Sequence, residues 1–188
     1  MAFNISEFRS KALTSAGARP NLFEVTLTGI TAVSGLTDGE FQFSCKASAI
    51  PTSTIGVVEV PYFGRNIKVL GNKTFDNWSI TVINVEDFKY RNALENWMAK
   101  MSTHVGNKVT VGQTFGSGDN LYGQGVVTHF SKAGTSDVKI ATYNFVNIFP
   151  VSISEIALEW GSNDTIEEFT VEFGYDYWTH AEASDTTS

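Results

Sequence analysis

Three carboxylates recur at every fourth position near the end of the chain. Glu168, Glu172 and Asp176 alternate with apolar residues, so an extended strand would carry all three on one face. Glycosidases use paired carboxylates as acid and base, and hold them about 5–9.5 Å apart. Residues four apart in a strand are separated by about 13 Å, at ~3.4 Å per residue. The spacing therefore does not predict catalysis unless another strand supplies a partner, such as Glu24.

The other reactive side chains are too scattered to predict a site. His104, His129 and His180 lack the spacing of metal ligands, and Cys45 is the only cysteine. We interpret Cys45 as a buried, inert thiol of a strand. The glycines near residue 116 are not followed by the Gly-Lys-Ser/Thr of a phosphate loop. We predict a protein that is not an enzyme and needs no metal or cofactor.

Composition limits the classes of partner. The 188 residues fit one domain, and the net charge of −7, from 13 basic and 20 acidic residues, argues against binding nucleic acid by neutralising phosphates. Only 18% of residues are charged and 13% are aromatic, which favours large contact surfaces. The sequence shows no signal peptide and no membrane span, so we expect synthesis in a cytosol.

Period-two alternation of apolar residues dominates the chain and predicts strands. The predicted strands are at 23–28, 41–46, 78–82, 108–111, 123–130, 139–149, 156–160 and 167–178. Residues 58–60 and 67–70 could also pair as strands, within a segment that we otherwise expect to be loop. One segment, 87–103, instead has the apolar stripe of an amphipathic helix. The predicted fold is mainly β: an antiparallel β-sandwich or barrel with one amphipathic helix.

We expect a single domain over residues 1–178. It would have an N-terminal arm at 1–17 and an extended contact loop at 51–71, and a flexible tail would follow at 179–188. The loop is punctuated by glycine and proline, and long ordered loops in compact domains are usually functional.

Several motifs resemble one protein family when they are taken in order. They are ARPNLFEV (18–25), FSCKA (43–47), RNIKV (65–69), KTFDNWSITV (73–82), FP (149–150), IEEFTV (166–171) and DYW (176–178). Together they resemble the tail tube protein of contractile-tailed, T4-like bacteriophages. The chain is longer than that family's pattern at 29–39, at 112–137 and after residue 178.

The resemblance implies a subunit that forms hexameric rings, stacked as a hollow tube inside a contractile sheath. The implied partners are other copies of the chain, the tail sheath protein, baseplate and tail-terminator proteins, and the tape measure protein and genomic DNA in the lumen. The implied location is the virion, after synthesis in the host cytoplasm. One alternative is the inner tube of a type VI secretion system or another contractile injection system. An alternative from another class is a carbohydrate-binding β-sandwich that uses exposed aromatics such as Trp178.

Two sets of residues are predicted to act in assembly. An anionic bore would repel DNA rather than capture it, so we expect Glu168, Glu172 and Asp176 to face the lumen. Glu24 would join them if its strand is adjacent, unless these carboxylates only solvate an outer face. We expect a second set to contact neighbouring subunits, unless the 51–71 segment folds back on its own domain. That set is Arg19, Tyr62, Phe63, Arg65 and Lys68.

Overall fold

Alternating β-branched and aromatic residues build the strands, and in the described part of the chain seven of nine strands form the sheet that encloses the core. The structure is a computed structural model that describes residues 4–11, 17–30, 33–36, 39–102, 106, 121–132 and 138–182. The elements in chain order are α1 (Ile5–Lys11), β1 (Phe23–Thr28), α2 (Phe41–Ser44), β2 (Cys45–Ser48), β3 (Ser53–Tyr62), β4 (Arg65–Phe75), β5 (Trp78–Ile83), α3 (Lys89–Met101), β6 (Gly123–Phe130), β7 (Lys139–Ile153), β8 (Glu168–Gly174) and β9 (Tyr177–Glu182).

Seven strands form one antiparallel sheet in the order β1-β6-β7-β8-β5-β2, with β9 also paired to β7. The 15-residue strand β7 belongs to two halves of this sheet. Its first part pairs with β6 and β9, and these strands with β1 form the first half-sheet. Its last part pairs with β8, and these strands with β5 and β2 form the second half-sheet. The predicted antiparallel sandwich or barrel is confirmed.

The two half-sheets pack face to face through their apolar sides. Trp78 of the second half-sheet is fully buried and stacks on Phe145 of the first, with ring centroids 4.3 Å apart. Gly125 lies beneath this indole, and a Cβ there would be only 2.4 Å from Trp78 Cζ3. Glycine is therefore required in the middle of β6, because any side chain would displace the indole.

Helix α3 completes the core along its apolar stripe. Tyr90, Ala93, Leu94 and Trp97 are buried, at the spacing of one helical face. The Trp97 indole donates a hydrogen bond to the carbonyl of Leu121, at 2.7 Å. The helix lies within the range 87–103 predicted for it. None of the helices that the structure describes is both long and apolar enough to cross a membrane.

Three predicted strands differ from the structure. Phe41–Ser44 forms the short helix α2 rather than a strand. Residues 156–160 form no strand, and Trp160 is fully exposed rather than buried. The predicted strand 167–178 ends at Gly174, and β9 begins at Tyr177. The break occurs because the backbone N–H of Asp176 turns to bond the carbonyl of Val146.

The strand β9 also shortens the predicted tail. Thr179–Glu182 were expected in a flexible segment at 179–188, but they pair with β7. The predicted strand at 108–111 lies outside the described residues.

Candidate functional site

The predicted contact loop at 51–71 is instead a long antiparallel hairpin, formed by β3 and β4. Its residues are rich in valine, isoleucine and threonine, which favour strands despite the glycines and Pro61. The two strands are joined by Phe63 and Gly64, with φ of 39° and 82°. Positive φ at both positions is typical of a type I′ turn, the commonest two-residue hairpin turn.

One face of this hairpin is apolar and has no cover. The cross-strand pairs Val58–Val69 and Val60–Ile67 lie on that face, and each of these side chains is between 46% and 53% exposed. The opposite face is mixed: Glu59 lies across from Lys68 and accepts a hydrogen bond from Asn66 at 2.9 Å. In the part of the chain that the structure describes, β3 and β4 pair only with each other.

Such an element is not stable by itself. A two-stranded hairpin is marginal in water at best, and gains stability when a hydrophobic face is packed. Contiguous exposed apolar surface of this kind marks a contact with another molecule. The hairpin is therefore the strongest candidate for an assembly surface.

The root of the hairpin is anchored to the sheet. The ring of Phe75 contacts the rings of Tyr175 and Trp178, at centroid distances of 5.9 and 6.4 Å. The Tyr175 hydroxyl donates to the carbonyl of Asp76 at 2.7 Å, and the Asp76 carboxylate accepts from the hydroxyl of Thr52. Burial first, and then the charge of Asp76, raise the pKa of Tyr175 to about 12. The root is therefore held while the distal part projects.

A bulge separates the root from the distal part. The register shifts between Ile55 and Val57, where Gly56 lies against Gly71. A Cβ on Gly71 would be 2.8 Å from the carbonyl oxygen of Gly56. Close backbone approach at this point thus requires glycine, and bulges increase the local twist of a hairpin.

The predicted lumen residues do not share one face. Glu168 and Glu172 point outward from the second half-sheet, where Lys46 forms an ion pair with Glu168 at 2.5 Å. Glu24 points outward from the first half-sheet, because its neighbours Phe23 and Val25 face the core. Since the half-sheets pack face to face, their outward sides point in opposite directions. Strand β1 is not a neighbour of β8, so Glu24 lies on the side opposite to Glu168 and Glu172, and which side faces a lumen stays a prediction.

Asp176 lies on neither strand. It occupies the turn between β8 and β9, where its carboxylate accepts a hydrogen bond from the side chain of Asn147. Around Glu172 the outward side of the second half-sheet is polar: Ser79 and Ser152 are its cross-strand neighbours. The charged residues on this side include Lys46, Glu168 and Glu172.

The predicted contact residues are also only partly together. Tyr62, Phe63 and Arg65 lie at the hairpin tip, and the rings of Tyr62 and Phe63 pack edge to face at 4.6 Å. Lys68 lies further down, on the mixed face. Arg19 is exposed before β1, in the first half-sheet. The structure places it apart from the tip.

The segment that joins β7 to β8 forms a groove that was not predicted from the sequence. Residues 156–160 and 165–168 line most of this open groove of about 410 Å³, with Leu158, Trp160 and Ile166 as its exposed apolar side chains. The signal was present as a run without period-two alternation and without any basic residue. We interpreted its apolar residues as a strand instead.

Burial raises the pKa of the Cys45 thiol to about 12, as expected for an inert side chain. The described residues contain no group of three or more potential metal ligands.

Comparison with known proteins shows the family of the chain. A family model described as "Phage tail tube protein" matches residues 18–181. The chain belongs to the phage tail tube protein family. Among curated relatives, the tail tube protein gp19 of Enterobacteria phage T4 is 30% identical over 164 residues, which cover 86% of this chain and 90% of that protein. The tail tube protein of Serratia phage KSP90 is 24% identical over 125 residues, which cover 66% of each chain. The family and the structural tail tube role predicted from the motifs are confirmed.

Solved structures show the same fold as this tail tube protein. A chain of the anti-feeding prophage baseplate matches with a TM-score of 0.64 at 12% identity, covering 91% of this chain and 99% of that one. A chain of the sheath–tube complex of an extracellular contractile injection system, PVC, matches with a TM-score of 0.58 at 16% identity, covering 96% and 99%. At these identities the likeness shows the fold alone.

Trp178 is the aromatic residue on which the sugar-binding alternative was based. Trp178 is half-buried and packs against Tyr143 at a centroid distance of 5.6 Å. It thus belongs to the aromatic cluster at the hairpin root of this tail tube protein.

Proposed function

We propose that this tail tube protein assembles into hexameric rings, which stack into the hollow conduit for DNA ejection inside a contractile sheath. It acts without catalysis. Its partners are further copies of itself, the tail sheath protein, baseplate and tail-terminator proteins, and the tape measure protein and DNA in the lumen. Family membership supports the tube, and the partners follow from that role.

One observation carries the stacking part of the proposal: the apolar hairpin face is exposed and its root is fixed. A ring of copies would present six such hairpins, and head-to-tail contacts between rings form an open-ended filament. Six simultaneous contacts give a stable joint even when each contact is weak.

Electron microscopy of the purified protein tests this. We expect hollow rods from the wild type, and folded subunits or single rings without rods from Val60→Asp/Ile67→Asp. Thr81→Asp, at the centre of the sheet surface, is a control for added charge in a strand. Rods from the hairpin variant, or monomers that bind glycans in the wild type, would contradict the proposal.

We assign the bore to the outward side of the second half-sheet. This side carries Glu168 and Glu172, with Asp176 at its margin, and it is continuous with the strands that enter and leave the hairpin. Strand β2 is an end strand of the sheet order, so neighbouring copies can join at their edges into one wall. On this wall the ammonium of Lys46 is paired with Glu168, and the hydroxyls and the carboxylate of Glu172 offer DNA phosphates no cation to bind.

Two matched charge reversals test the lining. Glu172→Lys should slow DNA ejection from reconstituted phage, because a lysine ring in the bore would bind phosphates. Glu24→Lys makes the same change on the opposite side and should leave the ejection rate unaltered. The reverse result would assign the bore to the first half-sheet, and unchanged rates in both would reject the charge argument.

The second candidate is the inner tube of a contractile injection system, because those structures share this fold. The identity to tail tube proteins of phages favours the phage tail. Genes for capsid and DNA packaging next to this gene would support the phage tail, whereas genes for secreted effectors would support the injection system.

A further inference from the structure

The groove formed by the segment that joins β7 to β8 has no role in the proposed function. Of the residues assigned to the bore, Glu168 also lines the groove. Its apolar side chains Leu158, Trp160 and Ile166 are largely exposed, and a tryptophan that is fully exposed in a subunit marks a binding anchor. The two ends of the segment that forms the groove are anchored: the Asn84 side chain donates to Glu167 Oε2 at 2.9 Å, and Arg91 Nη1 donates to the carbonyl of Ser154 at 3.0 Å. Among the residues that the structure describes, none covers these three apolar side chains.

The charges of the groove and of the hairpin are opposite. Residues 154–167 contain four acidic and no basic residues: Glu155, Glu159, Asp164 and Glu167. The hairpin, residues 53–75, contains three basic residues and one acidic residue: Arg65, Lys68, Lys73 and Glu59. Both surfaces also expose apolar side chains, so each offers what the other lacks. Charge complementarity of this kind selects partners and sets their register.

The two surfaces lie at opposite ends of the same strands. Tyr175, just beyond the end of β8, holds the hairpin root through the carbonyl of Asp76. At the other end of β8, Glu167 and Glu168 line the groove. The seven residues of β8 separate the ends by about 20 Å, at ~3.3 Å per residue. Strand β5 spans the same interval, from Trp78 beside the root to Asn84 beside the groove.

We propose that the groove of one copy receives the hairpin tip of another copy, with Tyr62 and Phe63 against Trp160, and Arg65 and Lys68 against the acidic rim. This inference rests on the proposed function, because it names the receiving surface for ring stacking. A donor and an acceptor at opposite ends cannot satisfy each other within one pair of copies, so each contact leaves one free hairpin and one free groove. That is the condition for open-ended growth.

Charge reversal of each side tests the contact. The groove variant is Glu155→Lys/Glu159→Lys, and the hairpin variant is Arg65→Glu/Lys68→Glu. Each variant alone should raise the critical concentration for tube formation at least tenfold, because it places like charges against each other. The chain that carries all four substitutions should form tubes again at a lower concentration than either double variant. Glu7→Lys/Glu24→Lys makes the same charge change as the groove variant on other surfaces and should polymerise like the wild type.

Mixing the two double variants gives a sharper result. The altered groove repels a wild-type hairpin, and the altered hairpin repels a wild-type groove, so neither variant should form tubes alone. In the mixture the altered groove can receive the altered hairpin, and the wild-type groove can receive the wild-type hairpin. Alternating layers of the two variants should therefore grow into tubes. Electron microscopy of equimolar mixtures reads this directly.

Fluorescence provides an independent measurement. Trp78 and Trp97 are buried and Trp178 is half-buried, so Trp160 should account for most acrylamide quenching of the free subunit. Assembly should protect Trp160, and Trp160→Phe should remove the difference between subunit and tube.

The outcomes separate this inference from the proposed function. If the wild type forms tubes and the hairpin variant does not, but the groove variant polymerises normally and Trp160 stays quenchable, the acceptor is elsewhere and only this inference fails. If the wild type forms no tubes with any partner or nucleator, the proposed function fails first. Failure of the four-substitution chain and of the mixture to polymerise would also overturn the pairing of these two surfaces.

Discussion

The β5–β8 ladder and the β3–β4 hairpin are built from the same pattern but have opposite fates. Both are antiparallel and alternate β-branched or aromatic residues with other residues. In the ladder, Ile80 and Val171 are fully buried, whereas Val60 and Ile67 of the hairpin are about half exposed. Alternation therefore shows that a face will be covered, but it does not show by which chain. A covered face stabilises the subunit, and an uncovered one is available for contacts in an assembly.

The largest test of this contrast removes the centre of the core. Trp78→Ala should destabilise the subunit by about 3–5 kcal/mol, the cost of an aromatic-to-alanine cavity, because the indole stacks on Phe145 between the half-sheets. Chemical denaturation monitored by circular dichroism measures it. The exposed Trp160→Ala serves as the control and should change subunit stability by less than about 0.5 kcal/mol.

Adding a methyl group at the same place should lower the stability of the subunit somewhat less. Gly125→Ala introduces a Cβ at 2.4 Å from Trp78, and overpacking of this kind typically costs about 1–3 kcal/mol. Gly161→Ala, in the open groove segment, is the matched control. Equal stability of the two variants in thermal denaturation would mean that the core can accommodate a methyl group at Gly125.

The root of the hairpin connects the two regions, and a smaller effect is expected there. Tyr175→Phe removes one hydrogen bond, which typically contributes about 1 kcal/mol. The pKa of Tyr175 is raised to about 12 in the fold, against about 10 in unfolded chains. Its contribution is thus complete below pH 10 and is lost as the pH rises from 10 towards 12, because only the unfolded state releases the proton.

Wild type should consequently lose stability more steeply than Tyr175→Phe over that interval. Denaturation curves at pH 9, 10 and 11 measure the two slopes, with the exposed Tyr177→Phe as a control that keeps the wild-type slope. Identical slopes for wild type and Tyr175→Phe would show that the tyrosine titrates normally.

The smallest effect on the subunit should accompany a large effect on assembly. Val60→Thr/Ile67→Thr keeps β-branched shape in the hairpin and should change subunit stability by less than about 0.5 kcal/mol. The tube should be weakened strongly, because the same side chains become buried in the contact. The same pair of changes in the ladder, Ile80→Thr/Val171→Thr, should unfold the subunit. A hairpin variant that unfolds with it would show that the hairpin face is part of the core.

Much of the fold follows from local pattern. The strand containing Trp78 and the helix containing Trp97 were predicted because their periods, two and 3.6, are regular over several turns of the pattern. Most of the hairpin is predicted as loop, with possible strand pairing only at 58–60 and 67–70, because the glycines and Pro61 suggest interruptions. In the structure Gly56 and Gly71 face each other at a bulge and Gly64 forms the turn, so these residues shape the hairpin instead of ending it.

The candidate surfaces were less predictable, because they depend on which strands become neighbours. Glu24 and Glu172 look equivalent in sequence, since each lies opposite apolar neighbours. The sheet order places β6 and β7 between their strands and folds the halves together, which turns the two carboxylates in opposite directions. Trp160 shows the same limit: an apolar residue without a period carries no information on what covers it.

Strand β7 has a mechanical consequence. Because one continuous backbone supplies a strand to both half-sheets, neither half can melt without disturbing the pairing of the other. The subunit should therefore lose its structure as a single unit when it is pulled or heated. The hairpin is attached to this body only at its root. It can therefore adjust its angle to a neighbouring copy while the body stays rigid.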